Sequence, residues 1–291
     1  MPTAHVNGVN LYYEQTGDGY PLVFSHEFAG DYRSWEAQVR FFSRRYRVIT
    51  YNHRGYPPSE VPKDPEAYSQ TAVVDDLYHL LHHLKIPKAH IAGLSMGGNI
   101  TLHMGIRYPG VCSSLVVAGC GSRSTDRPKF EQDGKTMAER LEKEGMAKVA
   151  ESYALRPTRV QLQRKDPRGW EEFLAQLKEH SSIGSALTFK GVQLRRPPIF
   201  ALEAELKRIQ VPTLLLIGDE DEPCIEPAIF MKRNIPSSGL VTFPQSGHTI
   251  NLEEPDLFNR AVLDFLTRVE AGKWARRDPI SAPGAELLRR G

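Results

Sequence analysis

The sequence predicts an α/β fold built on a mostly parallel β-sheet. Two observations predict it. Short apolar runs alternate with segments of helical periodicity, and this pattern is interrupted by one long segment without strand signals. The interruption covers residues 122–206, where strand signals stop and charged, helix-favouring segments follow one another. A chain of 291 residues is long enough for one large unit of this class.

The predicted elements follow the chain in the order that this class requires. Residues 5–15 are expected to form a hairpin with Asn7-Gly8 as its turn. Six more strands are predicted, making eight in all: 21–26, 47–52, 88–95, 114–119, 211–218 and 239–243. The helices expected around the sheet are 34–45 with Ser34 as its cap, 69–85, 97–108 and 255–269.

The domain organisation follows from the same pattern. We expect residues 1–121 and 207–270 to form the core, and residues 122–206 to form a helical lid inserted between its sixth and seventh strands. Residues 271–291 are rich in Arg, Pro, Ala and Gly, which predicts a loosely attached tail.

Composition excludes several classes of partner. The 37 basic and 35 acidic residues give a net charge of +2, which does not favour nucleic-acid binding. We expect no membrane association, because no apolar run approaches the roughly 20 residues that span a bilayer. Three scattered cysteines and the absence of a secretory signal favour a cytoplasmic protein with reduced thiols. Composition leaves the oligomeric state open.

A serine between two glycines is the strongest candidate for chemistry. Ser95 lies in Gly-Leu-Ser-Met-Gly, after an apolar strand and before a helix. This G-x-S-x-G pattern is typical of a sharp strand-to-helix turn that exposes a nucleophilic serine. The pentapeptide alone is a weak signal, and its position between a strand and a helix makes it specific.

A serine hydroxyl needs a base, and the base needs a carboxylate to orient it. His248 lies between the last strand and the last helix, where it could reach Ser95. Four acidic residues, at positions 219–222, follow the preceding strand, and their positions alone do not select one of them. No metal site is predicted, because the spacing of His79, His82 and His83 fits a solvated helix face better.

These residues resemble the α/β-hydrolase family, specifically the small lidded esterases and lactonases such as the 3-oxoadipate enol-lactonases. The resemblance covers residues 6–268 and implies a Ser-Asp-His triad with no cofactor. The segments that carry it are 51–56 with Ser59, 93–98, 218–221 and 247–258. The family's G-x-x-D pattern points to Asp221 as the acid. The resemblance also implies an oxyanion hole made by the backbone amides of Phe28 and Met96.

Glu27 departs from the family, which usually has glycine at this place beside the oxyanion hole. Two interpretations are open. In the first, which we favour, Glu27 faces solvent or pairs with a nearby cation such as Arg54. In the second, Glu27 contacts the substrate or assists acid–base chemistry.

The sequence therefore predicts a serine hydrolase that cleaves a small ester or lactone through an acyl-enzyme. Aromatic residues in the lid suggest an apolar substrate, although they could equally pack the lid itself: Tyr153, Trp170 and Phe173 are the candidate contacts. A carbon–carbon bond hydrolase or a cofactor-free perhydrolase would use the same triad. A small-molecule receptor with slow turnover is the alternative from a different class.

Overall fold

Eight strands form one sheet in the spatial order β1-β2-β4-β3-β5-β6-β7-β8 in the computed structural model, which describes residues 2–121, 124 and 126–278. The strands are β1 (Thr3–Val6), β2 (Val9–Thr16), β3 (Tyr20–Ser25), β4 (Tyr46–Tyr51), β5 (Ala89–Leu94), β6 (Cys112–Ala118), β7 (Thr213–Gly218) and β8 (Ser238–Phe243). Strand β2 pairs with its two neighbours in antiparallel fashion, and every other pairing is parallel. The predicted fold class is confirmed.

The N-terminal hairpin is confirmed, and so is the reason for it. Asn7 and Gly8 both have positive φ angles, 49° and 72°, which a two-residue hairpin turn requires and which asparagine and glycine adopt most readily. The strands that this turn joins pair from Thr3 opposite Tyr12 to Val6 opposite Val9.

The central parallel strands are buried on both sides, as their apolar runs predict. Ile91 of β5 belongs to the larger hydrophobic cluster, and its neighbour Ala92 belongs to the cluster on the other side of the sheet. The first side is covered mainly by α2 (Gln70–His83) and α3 (Met96–Arg107), and the second by α1 (Glu36–Phe42) and α12 (Pro255–Glu270). All parallel strands therefore deliver their carboxyl ends to one edge of a rigid sheet.

One predicted helix cap is wrong. Ser69 caps α2 through its hydroxyl, as its position before the apolar stripe suggests, but Ser34 does not cap α1. A short 3₁₀ turn, Tyr32–Trp35, precedes α1, and Asp31 caps it by accepting from the Arg33 amide. Ser34 closes a capping box by accepting from the Asp31 amide.

Helices fill the chain between β6 and β7. In the described part of this segment there is no strand, and the α-helices are α4 (Arg127–Glu144), α5 (Met146–Ala154), α6 (Val160–Lys165), α7 (Pro167–Lys178), α8 (Ser182–Thr188) and α9 (Glu203–Arg208). We call this helical segment between β6 and β7 the lid. The chain returns to the sheet at β7, and α10 (Glu222–Asn234), β8 and α11 (Ile250–Glu253) follow.

The chain directly after α12 makes two hydrogen bonds to the core. The indole of Trp274 donates a 2.7 Å hydrogen bond to the Ser237 carbonyl and packs edge-on against Phe265. The Arg277 amide donates to the Pro236 carbonyl at 2.8 Å. Residues 279–291 lie outside the described residues. Of the described helices, none combines the length and apolar character needed to cross a membrane.

Candidate active site

Ser95 lies at the turn between β5 and α3, where the backbone is strained. Its φ and ψ angles are 56° and −108°, a conformation that residues other than glycine rarely adopt. The Ser95 amide donates a 2.8 Å hydrogen bond to the Ala118 carbonyl at the end of β6. This bond fixes the turn to the neighbouring strand, so that the serine stands at the carboxyl edge of the sheet.

The glycines beside Ser95 are needed because other backbone passes too close for a side chain. A Cβ atom on Gly97 would collide with the Ser25 carbonyl, which ends β3. A Cβ atom on Gly93 would collide with the Gly97 carbonyl across the turn. The G-x-S-x-G pattern thus reflects the close packing of α3 against two strand ends.

Asp221 and His248 meet beside this turn. Asp221 follows β7 and immediately precedes α10, while His248 lies in the loop after β8. The His248 Nδ1 atom lies 2.7 Å from the Asp221 Oδ2 atom, and because a carboxylate only accepts, Nδ1 carries the proton. His248 Nε2 is therefore the ring nitrogen that can accept a proton. Of the four acidic residues in this segment, Asp221 is the buried one.

The environment raises the pKa of His248 above its ordinary value of 6.5. Burial acts in the opposite direction, since it disfavours the charged ring, but the negative charge and hydrogen bond of Asp221 outweigh it. Arg159 lowers the pKa of His248 and Glu27 raises it, each by a smaller amount. The buried pair can therefore stabilise an imidazolium ion.

Ser95, Asp221 and His248 line one cavity of about 640 Å³ under the lid. Within the described residues, Ser95 Oγ makes no hydrogen bond to His248, an arrangement common before substrate binds. Tyr153 lines this cavity, together with Phe130, Met137 and Phe189. Trp170 and Phe173 do not appear among its described walls: Trp170 donates to the Ala154 carbonyl at 3.1 Å, and Phe173 packs beneath Arg159.

The segment that carries the Phe28 amide is held by a buried histidine. His26 Nε2 accepts a 3.1 Å hydrogen bond from the His53 amide, so His26 Nδ1 donates to the Glu27 carbonyl at 2.7 Å. Burial lowers the pKa of His26 to about 4, which keeps this neutral tautomer at physiological pH. The Phe28 amide has no hydrogen-bond partner in the part of the chain described. Met96 is the first residue of α3, so its amide has no partner within the helix.

Glu27 is buried, only 2% exposed, and is paired with an arginine from the lid. Arg159 Nη1 donates to Glu27 Oε1 at 2.9 Å, and Arg159 Nη2 binds the second carboxylate oxygen. The expected solvent exposure and the pairing with Arg54 are both wrong, because Arg54 binds Asp76 in two hydrogen bonds of 2.7 and 2.6 Å. Nothing in the sequence around Glu27 indicates Arg159, which lies 132 residues away along the chain.

The Glu27 carboxylate lies close to the candidate base. Glu27 Oε2 is 3.9 Å from His248 Nε2. Burial alone would raise the pKa of Glu27, but the charge and hydrogen bonds of Arg159 hold it below its ordinary value. Glu27 is therefore an anion at neutral pH, and its charge is neutralised by a bidentate guanidinium.

The lid contacts the loop of the candidate base directly. The His248 amide donates a 2.8 Å hydrogen bond to the Thr158 carbonyl, which immediately precedes Arg159. Gln161 in α6 donates to Glu220 at 2.8 Å, and Lys165 donates to Ser246 at 2.9 Å. Residues 158–165 therefore fix the histidine loop from above, while Asp221 fixes the imidazole ring itself.

One set of donors in the described residues could in principle hold a metal ion. The ligand atoms of Asp221, Cys224 and His248 lie within 4.8 Å of one another. A metal there would have to replace the hydrogen bond between Asp221 and His248. Cys224 Sγ also donates to the Gly119 carbonyl at 3.4 Å, so the donor set is already engaged in protein contacts. This arrangement fits a proton-transfer site better than a metal site.

Comparisons with known proteins identify the fold family of this chain. The α/β-hydrolase fold family matches residues 20–255 of the chain. The chain is 30% identical to the AB hydrolase superfamily protein YisY of Bacillus subtilis (strain 168), across 88% of this chain and 95% of that protein. It is 27% identical to 3-oxoadipate enol-lactonase 2 of Acinetobacter baylyi (strain ATCC 33305 / BD413 / ADP1), across 85% of this chain and 88% of that enzyme.

Solved structures are similar over the same extent. A thermophilic esterase from Thermogutta terrifontis superimposes with a TM-score of 0.83 at 28% sequence identity, covering 92% of this chain and 99% of the esterase. The enol-lactonase from Burkholderia xenovorans LB400 has a TM-score of 0.80 at 25% identity, covering 91% and 100% of the two chains. The similarity thus includes the sheet and the helical segment between β6 and β7.

Replacing Asp221 with Asn should lower kcat by about 10⁴, because the amide favours the wrong tautomer of His248. It should also move the acidic limb of the kcat/KM profile. In the wild type this limb should lie above pH 6.5, since the base must be neutral and its pKa is raised. Without the carboxylate the pKa of His248 falls, and the limb moves to lower pH. The measurement is a pH–rate profile for a hydrolysed ester.

Asp219→Asn is the matched control, because Asp219 is an exposed acid two residues away whose side chain, among the described residues, accepts from the Ser246 amide alone. It should leave both kcat and the acidic limb close to wild type. An equal or larger loss at Asp219, or an unchanged limb in Asp221→Asn, would contradict the assignment of Asp221 as the partner of His248.

Arg159→Met should destabilise the fold by about 3–5 kcal/mol, because it leaves the Glu27 carboxylate buried without its partner. Glu27→Gln in the same chain should recover part of this loss, giving a coupling energy of about 2 kcal/mol. The loss from Arg159→Met should grow as the pH rises from acidic to neutral, since without Arg159 burial raises the pKa of Glu27 in the folded state above its unfolded value. Urea unfolding of the single and double variants measures these quantities.

The exposed pair Arg168–Glu172 in α7 provides a control cycle, since both side chains are largely in solvent. Its coupling should be close to zero at every pH. Additive effects of the Glu27 and Arg159 substitutions would show that the buried pair contributes no specific interaction.

Proposed function

We propose that this chain, which belongs to the α/β-hydrolase fold family, is a serine hydrolase that cleaves a small carboxylic ester or lactone through an acyl-enzyme. The observation that carries the proposal is the hydrogen bond between the buried Asp221 and the half-buried His248, beside the strained turn of Ser95. An imidazole with a raised pKa and a serine held in a strained backbone are the components that nucleophilic acyl transfer needs.

In the proposed mechanism, Ser95 Oγ attacks the carbonyl carbon of the substrate while its proton moves to His248 Nε2. Asp221 holds the ring in the required tautomer and stabilises the imidazolium ion that results. The carbonyl π electrons move to oxygen, and the amides of Phe28 and Met96 donate hydrogen bonds to this oxyanion. Collapse of the intermediate expels the alkoxide, which takes the proton from His248 Nε2.

Water then hydrolyses the acyl-enzyme with the help of the same residues. His248 Nε2 takes a proton from water, the hydroxyl attacks the acyl carbon, and the Ser95 oxygen leaves with the proton that His248 returns. The Glu27–Arg159 pair is compatible with this cycle because its two charges neutralise each other beside the developing oxyanion. An isolated carboxylate in this position would oppose the negative charge of the transition state.

The proposed substrate is small and has an apolar portion. Its size is limited by the cavity of about 640 Å³, and the apolar portion would contact the side chains of Tyr153, Phe130 and Phe189. Trp170 and Phe173 would act indirectly, since one supports α5 and the other supports Arg159. The three cysteines are buried and form no disulfide with one another, which is compatible with a cytoplasmic location, and we propose that location as well.

Replacing Ser95 with Ala should lower turnover of the best ester by about 10⁴ to 10⁶, without loss of the fold. The substrates are p-nitrophenyl esters and lactones of graded acyl length, and thermal melting verifies folding. Ser113→Ala is the control, because Ser113 lies at the opposite end of the parallel sheet, near the start of β6. Its turnover should match the wild type.

Two results would contradict the proposal. Wild-type turnover in the Ser95→Ala variant would show that Ser95 is not the nucleophile. A folded wild-type protein that hydrolyses none of these esters or lactones would favour the interpretation as a small-molecule receptor.

A further inference from the structure

Arg196 is a buried arginine in the wall of the active-site cavity. It is only 6% exposed, and it lines the same cavity as Ser95 and His248. It follows the π-helical turn Phe189–Gln193, and its amide donates to the Val192 carbonyl. Cys224, which lies beside Asp221 and His248, is close enough to interact electrostatically with the Arg196 guanidinium. The guanidinium is therefore near the reacting groups, although the proposed mechanism does not use it.

The Arg196 guanidinium has no partner among the residues that the structure describes. Its Nε and Nη1 atoms are buried and make no hydrogen bond, and no described carboxylate lies within 4.0 Å of it. The other two buried arginines in the described chain differ, because Arg54 binds Asp76 and Arg159 binds Glu27. Burying a charged group without a partner is unfavourable. An unpaired guanidinium at this position therefore destabilises the fold unless a ligand supplies the missing partner.

Arg196 remains positively charged at neutral pH. Burial, helped by the positive charge of Arg127, lowers the pKa of Arg196 to about 10, which is still well above physiological pH. A charge in this low-dielectric site attracts an anion more strongly than it would in water. The planar guanidinium also matches the two oxygens of a carboxylate in a bidentate arrangement.

The charges around the cavity favour an anion with a single negative charge. The other arginines in its wall are engaged: Arg159 binds Glu27, Arg140 binds Glu144, and Arg156 lies over the ring of Tyr153. One guanidinium therefore remains for the ligand, which suits a carboxylate better than a phosphate dianion. Gln193 lines the same cavity and makes no side-chain hydrogen bond to any residue described, so its amide can donate to the same ligand.

We propose that Arg196, assisted by Gln193, binds a carboxylate group of the substrate on which Ser95 acts. The inference rests on the proposed function and narrows its substrate class to esters or lactones that carry a free carboxylate. Binding this group at Arg196 would orient the substrate, so that its ester carbonyl faces Ser95 while its apolar portion contacts Tyr153 and Phe189.

Matched substrates test this inference. One series contains methyl half-esters of linear dicarboxylic acids of graded chain length, and the other contains the same esters with the free carboxylate replaced by a neutral amide. The wild type should hydrolyse the best carboxylate ester about 10- to 100-fold more efficiently than its amide partner, measured as kcat/KM. Arg196→Met should remove most of this preference and change kcat/KM for the amide esters by less than about threefold.

Arg140→Met is the matched control, because Arg140 also lines the cavity but is paired with Glu144. It should retain the preference for the carboxylate series. Melting temperature supplies a readout that does not depend on turnover: Arg196→Met should keep or raise it, because the substitution removes an unpaired buried charge. An arginine with a structural role would give a lower melting temperature instead.

The outcomes separate the two proposals. Ser95-dependent hydrolysis with no preference for the carboxylate series, or with a preference that survives Arg196→Met, would overturn the inference alone. A melting temperature well below the wild type in Arg196→Met would also overturn it. If the wild type hydrolyses neither series nor any other ester, the proposed function fails and the substrate class inferred here fails with it.

Discussion

The strained backbone of Ser95 is the constraint on which the rest of the site depends. Its φ of 56° is maintained because β5, α3 and the end of β3 approach so closely that only glycine fits at positions 93 and 97. The hydrogen bond from the Ser95 amide to the Ala118 carbonyl ties this turn to the adjacent strand. Because the sheet is parallel here, the loops that carry Asp221 and His248 reach the same edge. Rigid packing of the sheet therefore supports the strain and the convergence of the three side chains.

Electrostatics around His248 depends on a balance between burial and charge. Burial and Arg159 favour the neutral ring, whereas Asp221 and Glu27 favour the imidazolium ion. Glu27 Oε2 lies 3.9 Å from His248 Nε2, but the pairing of Glu27 with Arg159 reduces its effect on the pKa of His248. The lid thus contributes charge compensation as well as a cover over the cavity. The same segment supplies Arg196, whose charge has no partner among the described residues. The charge of Arg159 is therefore neutralised by a carboxylate, whereas the charge of Arg196 is not.

Local patterns were sufficient to predict most of the fold. The hairpin turn at Asn7-Gly8 and the strand-turn-helix around Ser95 each depend on residues close together in sequence. Asp221 could not be separated from its acidic neighbours by position alone, and the family pattern was needed to select it. The structure shows why the choice matters, since Asp221 is buried against His248 while its three neighbours are more exposed.

Long-range contacts could not be predicted in the same way. The partner of Glu27 comes from the lid, and nothing near Glu27 in sequence indicates Arg159. Arg54 was a reasonable cation to expect, but it donates two hydrogen bonds to Asp76 in α2 instead. Ser34 fits the pattern of a helix cap, yet it lies inside a 3₁₀ turn, and Asp31 is the residue that caps this turn. The lack of a partner at Arg196 is a property of the folded chain that no sequence pattern reveals.

A nucleophilic Ser95 must form a covalent intermediate with the substrate. The most direct test is the reaction with a p-nitrophenyl alkylphosphonate, whose phosphorus resembles the tetrahedral intermediate, followed by intact-mass analysis and peptide mapping. Esterase activity should disappear as one phosphonyl group per chain attaches to the peptide containing Ser95. Full esterase activity after prolonged reaction, or attachment at a different residue with loss of activity, would contradict the role of Ser95 as nucleophile.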